Sequence, residues 1–293
     1  MQSRRDFLKT LTSALGAGAG ILSASEKNKL DNNRFGVLSD LTLCVGCRKC
    51  EWACNEANEL PNESIDKFDD TSVFQNFRRP SSTQFTVVNR FQEKGLNKTP
   101  LDVKVQCMHC EHPACVSACI VGALQKTSFG AVTYDDWKCI GCRYCMVACP
   151  FQVPAYEYEN TLTPKVMKCD MCFEKVQKHG QLPACVEICP REAIVFGKRS
   201  ELLQIAKDRI NKNPERYIDH IYGEYEVGGT SWIYLSNVPF SEVGFPKLPH
   251  KAPPELTESI QHGIFKGFSG PILLFGLIGI LMRANRKGKD IEQ

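Results

Sequence analysis

The chain's sixteen cysteines fall into four groups of four, with none left over. The first group is Cys44, Cys47, Cys50 and Cys54; the second is Cys107, Cys110, Cys115 and Cys119. The third is Cys139, Cys142, Cys145 and Cys149, followed by Pro150; the fourth is Cys169, Cys172, Cys185 and Cys189, followed by Pro190. Three thiolates two residues apart can wrap a turn of backbone around three irons of a cubane cluster. A fourth, three residues on, has entered a helix and points towards a neighbouring cluster. The third group matches this C-x2-C-x2-C-x3-C-P run in full. The first has Asn55 in place of the proline and the second has Ile120, so no proline stops those two helices. The surroundings repeat as well: Cys44-Val-Gly-Cys-Arg echoes Cys139-Ile-Gly-Cys-Arg. The chain contains a duplicated cysteine unit.

Other uses of cysteine fit less well. Disulfides are the usual reading of an even count in an exported chain, but here the thiols crowd into short runs. Structural zinc suits paired C-x2-C units, and the fourth group alone could pass for one; it does not account for the third. Glu111 follows Cys110 and Phe173 follows Cys172, so no C-x2-C-H exists for covalent haem. Four [4Fe–4S] clusters are therefore expected, with ligands exchanged between groups. Cluster 1 takes Cys44, Cys47, Cys50 and Cys189; cluster 2 takes Cys54, Cys169, Cys172 and Cys185. Cluster 3 takes Cys107, Cys110, Cys115 and Cys149; cluster 4 takes Cys119, Cys139, Cys142 and Cys145. All sixteen are metal ligands on this reading. Each such core with its thiolates carries about −2, so the formal +3 of the bare chain becomes about −5 when loaded.

The elements that must position these thiols are short. Strands are expected at Phe85–Phe91, Leu101–Val105, Ala131–Tyr134, Ala193–Phe196 and Trp232–Leu235. An amphipathic helix is expected from Ser200, as N-cap, to Lys212, with Leu202, Ile205, Ala206 and Ile210 on one face. The expected fold class is α+β: two interlocked bacterial-ferredoxin-like modules, each holding two clusters, with sparse regular structure and one C-terminal transmembrane helix. The iron–sulfur body spans 34–248. Module A is 34–60 with 160–200, module B is 101–155, and 61–100 and 201–248 are insertion or partner-contact segments.

Both ends carry signals. Arg4-Arg5 before a weakly apolar stretch resembles a twin-arginine export signal over 1–25, a route for proteins folded with their cofactors. A stiff linker is expected over 249–262. The apolar stretch from Ile264 to Met282 would be about 28 Å long as a helix, near the thickness of a bilayer core. It is followed by Arg283, Arg286, Lys287 and Lys289. The charge rule then predicts a transmembrane helix over 263–282, a cytoplasmic tail over 283–293, and a body on the periplasmic side of the membrane.

Composition excludes two classes. With 43% hydrophobic and 24% charged residues the chain is not wholly disordered, and 36 basic against 33 acidic residues is too balanced for nucleic-acid binding. No nucleophile–base pair, P-loop or dinucleotide-binding glycine run appears, so a non-catalytic subunit is expected. Gly228-Gly229 reads as a turn. His109 and His112 read as groups beside the ligands or at the surface, and Trp52 and Trp137 as packing. Arg48 and Arg143 either tune a cluster or are solvated, and 55–106 is either a partner contact or a surface elaboration.

The four groups resemble the iron–sulfur electron-transfer subunits that accompany molybdopterin oxidoreductases and membrane hydrogenases. Leu43-Cys-Val-Gly-Cys, Gln106-Cys-Met-His-Cys, Leu182-Pro-Ala-Cys-Val-Glu-Ile-Cys-Pro190 and Tyr222-Gly-Glu-Tyr-Glu-Val-Gly-Gly-Thr230 are closer still to the ferredoxin-like subunit of hydrogenase-2 type complexes. The resemblance implies electrons arriving from the small and large subunits of a nickel–iron hydrogenase. It implies their leaving through an integral membrane partner to a quinone, with the bilayer met through the C-terminal helix. Two other readings stand: the same relay serving a molybdoenzyme for formate, polysulfide or thiosulfate, or nitrate, and a zinc-binding assembly protein. Relatives that replace one ligand by Trp hold a three-iron cluster; no such replacement occurs here.

Overall fold

The computed structural model describes residues 34–92 and 98–289. The twin-arginine stretch lies outside them. Strand β1 (Phe35–Asp40) is the centre of a three-stranded sheet, antiparallel to β8 (Ile194–Lys198) and parallel to β9 (Trp232–Leu235). Both faces of β1 are covered, so Val37 and Leu38 are buried on opposite faces, and Ser39 and Asp40 are buried as well. Leu38, with Ile233 and Leu235 of β9, packs on Leu202, Ala206 and Ile210 of helix α6 (Arg199–Lys212). On the other face Val37, Trp232 and Tyr234 join the main core with Leu101, Val103, Met108 and Met171.

Three two-stranded ribbons complete the strand set: β2 (Val87–Phe91) with β3 (Leu101–Val105), β4 (Leu124–Lys126) with β5 (Val132–Tyr134), and β6 (Ala155–Tyr156) with β7 (Val166–Met167). The cysteine helices are short: α1 (Lys49–Ala57), α2 (Ala114–Ser117), α3 (Tyr144–Ala148), α4 (Phe173–His179) and α5 (Ala184–Glu187). Helix α1 packs on α5, far along the chain, and α2 packs on α3. The architecture is mixed α/β with small sheets, and ferredoxin-like domains fit it.

Two local expectations are refined. The α6 helix starts one residue early: Lys198 is the extended cap residue and Ser200 lies inside. Arg199 fixes that start by bonding the carbonyls of Thr230, Gly223 and Glu224 at 2.7, 3.0 and 3.0 Å. The segment expected as a linker is tied to the body, because the Val227 and Gly228 amides donate to the Pro249 and His250 carbonyls and Ala252 is buried.

The fold class with a transmembrane helix, and with it the placement of the body on a membrane by a single C-terminal anchor, is overturned. Helix α7 runs from Pro253 to Lys289. Among the described residues, however, no helix is long and apolar enough to cross a membrane. Lys266 and Ser269 interrupt the stretch from Ile264 to Met282. The uninterrupted run from Pro271 to Met282 is about 18 Å of helix, well short of a hydrocarbon core.

Candidate metal centres

Each C-x2-C turn carries a left-handed residue at the same place: Gly46 (φ 67°), His109 (φ 47°), Gly141 (φ 69°) and Met171 (φ 65°). The turn brings its own amide over the first thiol. The Gly141 amide is 3.4 Å from Cys139 Sγ, and the Met171 amide is 3.3 Å from Cys169 Sγ. Glycine adopts this conformation without strain. At Gly46 an added Cβ would also lie 2.5 Å from the Asp102 carboxyl carbon. Arg48 (φ 57°) and Arg143 (φ 62°) then repeat the left-handed shape as the caps of α1 and α3. The duplication seen in the sequence thus extends to the backbone.

Beyond three of the fourth cysteines the chain turns identically. The Gly122, Gln152 and Glu192 amides donate to the carbonyls of Cys119, Cys149 and Cys189 at 3.1, 3.0 and 3.2 Å. Cys54 instead stays within α1, which continues to Ala57, as the missing proline allows. The second group turns although Ile120 stands where proline would.

The thiols meet across groups. Cys44, Cys47 and Cys50 line one cavity together with Cys189. Cys54, Cys169, Cys172 and Cys185 line a second. Burial pushes the Cys110 thiol well up, and Cys149, Cys107 and Cys115 add repulsion. Burial likewise raises Cys145 to about 11, with Cys139, Cys142 and Cys119 as its charged neighbours. Repulsion between thiols also links one set to the next. Cys50 is repelled by Cys185, Cys169 by Cys107, and Cys115 by Cys145.

The donor set fits iron–sulfur clusters. Burial and mutual repulsion raise Cys44, Cys115 and Cys172 to about 12, so these thiolates need a cationic core to exist at neutral pH. Among the described residues, no three Cys, His, Asp or Glu side chains gather closely enough to hold a single metal ion. The sulfurs instead line shared cavities in sets drawn from two groups. Trp232, whose ring lines the second cavity, has a buried Nε1 without an acceptor among the described residues. A buried N–H requires one, and cluster sulfur can supply it.

The secondary candidates separate. Arg48 is buried, lines the first cavity and bonds Glu51 and the carbonyls of Phe68 and Asp70. Arg143 is exposed and lies over the rings of Tyr156 and Tyr158. His109 is buried, and its Nδ1 accepts from the Val132 amide at 2.8 Å; burial, then the charges of Lys168 and Lys126, hold it neutral. Trp52 donates to the Glu63 carbonyl, whereas Trp137, expected as packing, is 93% exposed. Sequence reasoning missed Lys104, which lines both cavities, and Glu51, which binds Arg48, Arg78, Gln84 and the Val88 amide. Only the setting of Lys104 in an apolar strand pattern hinted at its burial.

Two overlapping regions, residues 43–123 and 102–199, match 4Fe-4S dicluster domains. A protein of Nitratidesulfovibrio vulgaris is 48% identical over 97% of this chain and 78% of its own length. The hydrogenase-2 operon protein HybA of Escherichia coli O157:H7 is 36% identical over 97% of this chain and 96% of its own. The iron–sulfur subunit of the nitrate-inducible formate dehydrogenase of Escherichia coli K12 is 35% identical over 82% of this chain and 80% of its own. Sixteen cysteines folded into interleaved sets, dicluster domains and relatives matched along most of their length have one reading: the chain belongs to the 4Fe-4S dicluster family of iron–sulfur electron-transfer subunits.

Proposed function

We propose that the chain holds four [4Fe–4S] clusters in the sets Cys44/47/50/189, Cys54/169/172/185, Cys107/110/115/149 and Cys119/139/142/145. We further propose that it relays electrons for a nickel–iron hydrogenase. The observation that carries the reading is the lining of the first two cavities, each combining three cysteines of one group with one from the far end of the chain. When bound, each cluster accepts and releases one electron. The protein's own part is to hold the sets in the order one, two, three, four and to exclude water around the inner ones.

The fourth set reaches the surface. Cys142 is exposed, and Trp137, Ile140, Tyr144 and Val147 stand exposed around it, an apolar collar suited to a docking redox subunit. A hydrogenase partner is supported by the hydrogenase-2 operon relative, which matches nearly the whole chain. A quinone-reactive subunit as acceptor rests on the sequence resemblance. A molybdopterin oxidoreductase is the second reading, supported by the formate dehydrogenase relative.

Metal analysis of the anaerobically isolated complex tests these readings. About sixteen irons and sixteen acid-labile sulfides per chain are expected, with nickel in the accompanying catalytic subunit. Zinc without sulfide would overturn the relay, and molybdenum in place of nickel would move it to the second reading.

A further inference from the structure

Lys104 lies in β3, next to the fully buried Val103, and is itself only 3% exposed. Its Nζ donates to Gln106 Oε1 at 2.8 Å and stands 4.5 Å from the centre of the Trp232 ring. Gln106 is fixed in turn by Tyr234, whose hydroxyl accepts from Gln106 Nε2 at 2.5 Å and donates to the Lys104 carbonyl at 3.0 Å. Among the described residues no carboxylate pairs with the ammonium. Lys126, which is part-buried, differs: it bonds Glu111 at 3.2 Å. A lone buried ammonium is strongly disfavoured, so its counter-charge must come from elsewhere.

Among the described residues, the anionic groups that line the same cavities are the thiols of the first two cysteine sets, with Asp170 beside them in the second. Lys104 lines both the Cys44/47/50/189 cavity and the Cys54/169/172/185 cavity. Burial works against its charge, but Cys185, Cys50, Cys169 and Cys54 outweigh it and raise its proton affinity. Those four thiols come from both sets.

We infer that Lys104 is a shared counter-cation between the first two cluster sites and sets their reduction potentials together. The inference rests on the cluster reading above. A fixed positive charge stabilises the more negative, reduced form of each neighbouring cluster. Trp232 and Gln106 act as positioning groups that keep the ammonium between the two sites.

The test is a redox titration of the anaerobically isolated complex followed by electron paramagnetic resonance, with iron and sulfide counted on the same samples. Lys104→Met keeps the length of the side chain and removes the charge; two of the four midpoints should become more negative while the other two stay. Lys104→Arg should restore the pair towards the wild-type values, which a purely packing role would not require. If Lys104→Met does not load, Gln106→Glu decides, because a carboxylate against the ammonium should also shift those two midpoints negative. Four unmoved midpoints in a fully loaded variant, or one uniform shift of all four, would overturn the inference. Absence of iron and sulfide from the wild type would instead overturn the cluster reading.

Discussion

Glu51 is one residue past Cys50 and wholly buried, yet it is not a ligand. It takes Arg78 at 2.6 Å, Arg48 at 3.2 Å, Gln84 at 3.0 Å and the Val88 amide at 2.5 Å, joining α1 to the 72–88 segment. A buried carboxylate this fully bonded is costly to delete, because the arginines stay behind without their counter-charge. Glu51→Ala should cost about 3–5 kcal/mol and Glu51→Gln less, read as the shift in anaerobic thermal unfolding of the loaded protein. An unchanged midpoint for Glu51→Ala would show that the arginines find other partners. The cysteines were legible because their spacing is local and their chemistry narrow. Glu51 and Lys104 were not, since a sequence shows a charge but not the distant groups that bury it.

At the scale of elements, cysteines are shared between helices distant in the chain. Helix α3 presents Cys145 to the fourth set, while Cys149, just past its end, faces Cys110 of the second group. On the proposed sets, Cys149→Ser should lose or alter one cluster, the one assigned to Cys107, Cys110 and Cys115, and leave the Cys139/142/145 site loaded. Electron paramagnetic resonance with iron counting reads this directly, and unchanged spectra would refute the exchange of ligands. The strands Leu101–Val105 and Trp232–Leu235 matched their sequence signal to the residue, because β-branched and aromatic runs between turns are sufficient there. The α6 start did not, because Arg199 is held by three carbonyls between Gly223 and Thr230, a tertiary contact stronger than Ser200's preference for a cap. The C-terminal stretch differs for another reason: Lys266 and Ser269 divide it, and its length overstates the apolar run that follows them.

For the whole molecule, the apolar core is divided, and its parts depend on cysteine to different degrees. The cluster of Leu38, Leu202, Ala206, Ile210, Tyr217, Ile221, Ile233 and Leu235 contains no cysteine and joins α6 to the three-stranded sheet. The buried cluster around β4 and β5 has five members, and two of them, Cys115 and Cys145, are thiols. Leu124, Val132 and Val166 alone bury too little surface to offset the ordering of their short strands and turns. Metal binding there is folding free energy, whereas the sheet and α6 have a core of their own. Anaerobic removal of iron with a chelator should therefore abolish amide hydrogen-exchange protection across 107–167 while β1, β9 and α6 keep most of theirs. Uniform loss would mean that the clusters hold the α6 face together as well. Uniform retention would mean that apolar packing suffices throughout, and that the thiols were placed for the clusters without the fold depending on them.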